Sequence, residues 1–234
     1  MIGLDHVPQR VHVQVDLGVF QVTIQHSECE LGKTFGHPDA PHQLARRLDA
    51  VPFQLHLLRF VVRQSRRDQH GGLADCFEAY VAELERLIGD GERVTVMPGV
   101  GDLVRALAAR DDAVVGLLTG NIEPGARVKL RPTRLWPLFR VGAFGSDDMD
   151  RRRLLVVACE RAHRVTGRCF AFEEVTIIGD TPLDVDCARA CGARAVAVAT
   201  GFYGYDDLQE CGPDVLLTDL GDVDSVLALL AGSP

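Results

Sequence analysis

The chain has 234 residues, 47% of them hydrophobic and 25% charged, a balance that excludes a disordered or fibrous class. Its formal net charge of −8 disfavours non-specific nucleic-acid binding and repels anions at long range, so any anion site has to be locally positive. No stretch approaches the roughly 18 uninterrupted apolar residues of a spanning helix, and MIGLDHVPQR lacks the basic and apolar regions of a secretory signal, which makes the cytoplasm the expected address. Seven scattered cysteines without a CxxC pair fit reduced thiols in the core or on helices better than a disulfide frame or a zinc site.

Residues 1 to 70 hold seven of the eight histidines and eight of the nine glutamines. Two accounts fit this break: a polar helical subdomain with loose sequence constraints, or a segment read from a displaced coding frame. Within it, the alternating valines before Asp16 suggest a strand ending on that carboxylate.

From about residue 73 the pattern becomes regular. LADCFEAYVAELERLI predicts an amphipathic helix ending near Gly89. After Met97-Pro98-Gly99, VGDLVRALAAR predicts a second helix, and AVVGLL a short buried strand running into Thr119-Gly120-Asn121. Helices are expected at about Glu123 to Leu130 and Asp150 to Val165, with a strand at VGAFG between them. VTIIGD is an apolar run stopping on a carboxylate, and DVDCARACG a helix closed by Gly192. ARAVAVAT and DVLLTD read as strands, YDDLQEC and VDSVLALL as helices. This alternation predicts an α/β fold with a doubly wound, mostly parallel sheet, on which ligands bind at the carboxyl ends of strands. Three of those ends are polar: Thr119, Ser146 and Asp180.

In Ile178-Gly179-Asp180-Thr181-Pro182-Leu183-Asp184, two carboxylates straddle a strand end and the first turn of a helix. A hard cation such as Mg2+ takes oxygen ligands and keeps several waters, so one direct and one outer carboxylate at this spacing suit it. In isolation Asp184 reads as a capping or first-turn acid. Likewise Thr119, Gly120 and Asn121 form a turn with an N-cap, or offer a hydroxyl and backbone N–H groups to a phosphate oxygen. Arg151, Arg152 and Arg153 form a solvated helix face or supply a cation, whereas Lys129 reads as an exposed helix residue.

Taken together, LLTGN, GSDDMDRRRLL and IIGDTPLD, in this order and at these intervals, resemble the haloacid dehalogenase-like superfamily, specifically its phosphoglycolate-phosphatase-like members. The resemblance covers roughly residues 73 to 231. It implies a Rossmann-like core with a helical cap inserted after the first strand, and Mg2+-dependent phosphoryl transfer through an aspartyl-phosphate on a small phosphorylated metabolite, phosphoglycolate-like. It further implies that Thr119 binds the transferring phosphoryl group, that Asp180 is the metal-binding acid and that Asp184 is its supporting partner. Arg151, ahead of Arg152 and Arg153, matches the basic residue that neutralises phosphate, normally a lysine; arginine holds phosphate bidentately. The superfamily also contains metal-free dehalogenases, but the acid pair resembles the metal-dependent phosphatases.

The superfamily's first motif, an apolar strand followed by DxDGT, is absent. Asp16 is the nearest candidate for its nucleophile, 103 residues before Thr119, yet Gly18 stands where the second acid belongs; Asp5 has Val7 at that offset. The organisation expected is a first core strand within residues 1–24, a helical cap over 25–90 and the α/β core over 91–234, with a segment near Arg10 to Ile24 filling the sheet. Three readings follow: a Mg2+-dependent phosphatase with Asp16 as nucleophile, a non-catalytic phosphate- or Mg2+-binding protein, and an active phosphatase whose N-terminal segment is replaced here.

Overall fold

The computed structural model describes residues 13–14, 19–23, 73–91 and 94–231. Its elements run β1 (Val13–Gln14), β2 (Val19–Thr23), α1 (Leu73–Ile88), β3 (Val94–Thr95), α2 (Val100–Ala108), β4 (Ala113–Thr119), α3 (Glu123–Leu130), β5 (Val141–Phe144), α4 (Arg151–Thr166), β6 (Val175–Gly179), α5 (Pro182–Cys191), β7 (Arg194–Val198), α6 (Tyr205–Glu210), β8 (Val215–Leu217) and α7 (Val223–Ala231). The strand and helix positions expected from residue 73 onward are all occupied by those elements.

Period-two geometry sorts each apolar strand onto two faces. Val114 and Leu118 of β4, with Ile177 of β6, pack against Leu154, Leu155 and Ala158 of α4 and Val185 of α5. Val115 and Leu117, with Ile178, face α2, α3 and α7 through Leu103, Leu107, Leu130 and Val226. Both faces are therefore covered, which is why the strands read as continuous apolar runs. Full burial of each such leucine or isoleucine contributes about 1.5–3 kcal/mol.

Six strands form the main sheet in the order β5-β4-β2-β6-β7-β8, and β1 pairs with β3 apart from it. Five of the six run in one direction, so that Thr119, Phe144, Gly179, Val198 and Leu217 end at a common edge. The exception is β2, which sits between β4 and β6 and pairs antiparallel with both. Val19 lies opposite Leu117 and Ile178, and Thr23 opposite Ala113. The chain thus enters β2 from the edge of Thr119 and Asp180 and leaves it at the far edge. The sheet gap is filled, by a strand of reversed direction.

The outer edge of β5 is closed by side chains. Asp147 Oδ2 accepts from the Phe144 N–H at 2.9 Å, while Arg161 Nη1 donates to the Gly142 carbonyl at 2.6 Å and to Asp147 Oδ2 at 2.7 Å. An edge strand with its ladder groups occupied in this way resists pairing with another chain.

Lys129 is a correction: it is 5% exposed, not a surface residue. The helix α3 is covered twice, by the sheet through Ala126 and Leu130 and by α1, whose Tyr80, Leu84 and Ile88 pack on Val128. The one-sided apolar stripe of a surface helix does not apply to a helix held between two layers. Among the described residues no helix is long and apolar enough to cross a membrane.

Candidate active site

Thr119 ends β4 half-buried, and its Oγ1 accepts from the Asn121 N–H at 3.2 Å. That bond leaves the Thr119 hydroxyl proton available to a ligand. The Asn121 carbonyl accepts from the Gly145 N–H at 2.8 Å, tying the loop after β4 to the loop after β5. The two loops touch so closely that a Cβ on Gly145 would lie 2.1 Å from the Gly120 carbonyl oxygen.

The arginine run divides by helical geometry. Asp150 caps α4, its Oδ1 accepting from the Arg152 N–H at 3.1 Å. Arg152 and Arg153 are exposed and pair with Asp150 at 2.8 Å and Asp148 at 3.2 Å. Arg151 points inward: its Nη2 donates to Asp184 Oδ1, and its Nε is buried without a partner. Its Nη1 lies 3.7 Å from where a Cβ on Gly120 would stand, so the guanidinium borders the Thr119-Gly120 loop. A half-buried arginine with an unpartnered N–H is suited to an oxyanion.

Asp184 is 3% exposed in the first turn of α5. Its Oδ2 accepts from the Thr181 N–H at 3.1 Å and the Thr181 hydroxyl at 2.7 Å, while its Oδ1 takes Arg151. The carboxylate lies over Gly179, where a Cβ would come 2.2 Å from its Cγ. Asp184 therefore both caps the helix and holds Arg151, and its engaged oxygens suit an outer, supporting acid.

Asp180, half-buried at the end of β6, lies against Gly201, whose added Cβ would stand 2.1 Å from its Oδ2. Among the described residues no group of three or more histidine, cysteine or carboxylate side chains could hold a metal. Mg2+ does not require one, since it is bound through one or two carboxylates with waters and substrate phosphate completing its shell. The Asp180 carboxylate fits that donor chemistry.

The thiols of α5 support the same corner. Cys187 Sγ donates to the Arg151 carbonyl at 3.2 Å and Cys191 Sγ to the Arg152 carbonyl at 3.4 Å, joining α5 to the first turn of α4. Burial pushes the Cys187 thiol up to about 12, so it remains a neutral donor at physiological pH.

Thr119, Gly120 and Arg151 are brought together, and Arg151 joins Asp184. Asp16 lies outside the described residues. Thr181, Gly201 and Tyr80, which bonds to the Asn121 side chain, were not singled out in the sequence. The threonine within GDTPLD carried a usable signal; Tyr80 is one apolar-face position of an amphipathic helix and carried none.

A family model described as HAD-hydrolase-like matches residues 152–223. The chain is 29% identical over 181 residues to the phosphoglycolate phosphatase of Synechococcus elongatus, covering 77% of this chain and 72% of that protein. A haloacid dehalogenase-like hydrolase from Streptococcus pneumoniae shares the fold at a TM-score of 0.51 and 20% identity, over 70% of this chain and 75% of that one. So does CbbY from Rhodobacter sphaeroides, whose crystal structure holds xylulose-1,5-bisphosphate, at 0.54 and 21%, over 71% and 77%. Together with the motifs at Thr119 and Asp180, at the ends of β4 and β6 on either side of β2, these likenesses support a phosphatase-like member of the haloacid dehalogenase-like superfamily.

Proposed function

We propose that the protein is a Mg2+-dependent phosphatase acting on a small phosphorylated metabolite, phosphoglycolate-like, through an aspartyl-phosphate on Asp16. The observation that carries this reading is the inward turn of Arg151 onto Asp184 beside the Thr119-Gly120 loop, at the sheet edge where substrates of such folds bind. The Synechococcus elongatus relative is a phosphoglycolate phosphatase, which supports the substrate class.

In this reading the Thr119 hydroxyl and Gly120 N–H bind phosphoryl oxygens, Asn121 fixes the Thr119 oxygen, and Arg151 neutralises charge. Asp180 holds Mg2+ and Asp184 supports it from behind while orienting Arg151. Bound Mg2+ supplies Lewis-acid neutralisation of the phosphoryl oxygens. The Asp16 carboxylate attacks phosphorus, the bond to the leaving oxygen breaks, and water cleaves the acyl phosphate to return the carboxylate and inorganic phosphate. Gly18 stands where a second acid would donate, so the leaving oxygen takes its proton from water. A positioned acid typically contributes ~10²–10⁴-fold, which predicts slow turnover of alkyl phosphates.

The reversed direction of β2 favours a second reading, a phosphate- and Mg2+-binding protein with impaired turnover, because the carboxyl end of β2 lies opposite Ala113 and not beside Thr119. The same observation suits an active phosphatase whose N-terminal strand is replaced in this sequence, which a DxDGT in another frame of the coding DNA would establish. Inorganic phosphate release from phosphoglycolate and other small phosphomonoesters tests the proposal. EDTA-sensitive release from at least one supports it, whereas binding of Mg2+ and phosphate without release from any selects the second reading.

A further inference from the structure

We infer that Tyr80 of α1 is a positioning residue for the loop Thr119-Gly120-Asn121, clasping it from outside the site; the inference rests on that loop being the phosphate loop proposed above. Tyr80 OH donates to Asn121 Oδ1 at 3.1 Å across 41 residues of sequence, and both residues are buried, at 4% and 7% exposure. Burial pushes the Tyr80 phenol up, so it stays protonated and donating throughout the working range of pH.

The clasp governs more than one side chain. With its oxygen taken by Tyr80, the Asn121 amide has one orientation, and Nδ2 is left as a buried donor without a partner. The backbone of the same residue makes the two bonds that shape the loop, its N–H to Thr119 Oγ1 and its carbonyl to the Gly145 N–H. A rotation of Asn121 would therefore move the Thr119 hydroxyl, the Gly120 N–H and the neighbouring loop together. Space around the pair is fixed by Gly125, where a Cβ would stand 2.8 Å from both Asn121 Oδ1 and Tyr80 Cε1.

The test uses the full chain in three variants. Tyr80→Phe keeps the ring and removes the donor, Gly125→Ala forces the pair apart with the hydroxyl intact, and Thr119→Val removes the proposed phosphate contact itself. Amide hydrogen exchange at Asn121 and Gly145 reads the clasp, and titration with inorganic phosphate reads its consequence. Tyr80→Phe and Gly125→Ala should each speed exchange at both amides about tenfold and weaken phosphate about five- to tenfold, with the exchange of β6 amides unchanged as the measure of an intact core. Unchanged exchange at Asn121 and Gly145 in Tyr80→Phe overturns the inference. So does phosphate affinity that falls in Thr119→Val but not in Tyr80→Phe. Faster exchange with phosphate affinity unchanged in all three variants instead overturns the phosphate reading of the loop, and with it the role assigned to Tyr80.

Discussion

Arg151 and Asp184, 33 residues apart in sequence, are ion-paired across the first turns of α4 and α5, with Asp184 buried and the Arg151 side chain one-fifth exposed. Arg151 and the second acid of GDTPLD are thus one unit. Removing one partner of a pair this buried leaves an uncompensated charge, at a cost of about 3 kcal/mol to the fold. Asp184→Asn and Arg151→Ala are each expected to weaken inorganic phosphate about tenfold, and the double variant to lose no more than either alone. Calorimetric titration of the four proteins measures this; additive losses would contradict the coupling.

Asp180 carries the metal in the proposed reaction. Asp180→Asn should abolish Mg2+ binding while leaving the thermal transition close to that of the wild type. Unaltered Mg2+ affinity by titration calorimetry would sink the assignment.

The sequence from residue 73 onward was legible because its strands, buried on both faces, are short apolar runs and its helices are closed by residues such as Gly192, at φ +77°. The positions of Thr119 and Asp180 at the ends of β4 and β6 were legible for a related reason: each is the polar residue that closes an apolar run. Lys129 was misread because single-helix periodicity does not register a second covering layer. The direction of β2 was not readable, since alternation fixes which side chains share a face but not which way a strand runs. The contacts of Tyr80 with Asn121 and of Arg161 with Asp147 join positions 41 and 14 residues apart, through side chains that local pattern treats as interchangeable with their neighbours.

The Asp147–Arg161 pair guards the edge of β5. Burial alone would raise the Asp147 pKa, but its bonds to Arg161 and to the Phe144 N–H outweigh that and hold it below the ordinary carboxylate range. A lowered folded pKa means that the stabilisation is fully present above the unfolded value of about 3.9 and is lost as pH falls through the folded one. Asp147→Asn should therefore be less stable by about 1–2 kcal/mol at neutral pH, with the difference from wild type shrinking in acid. Urea denaturation at several pH values checks this; a pH-independent difference would contradict it.

Burial pushes the Cys159 and Cys187 thiols up to about 12. Folded protein at pH near 8 should leave both unmodified by iodoacetamide, with reaction following only on unfolding. Because the folded values are raised, stability should also fall as pH rises above about 8.5, where unfolded thiols ionise. Peptide mapping after native alkylation measures the first effect, and rapid modification of Cys187 would show that α5 is not seated on α4 as described.

The central claim, turnover through Asp16 with Mg2+ at Asp180, is tested most directly by p-nitrophenyl phosphate hydrolysis with and without Mg2+ in the wild type, Asp16→Asn and Asp180→Asn. The account predicts Mg2+-dependent hydrolysis by the wild type that is lost in both variants. Hydrolysis persisting in Asp16→Asn, or none from a folded wild type, would contradict it.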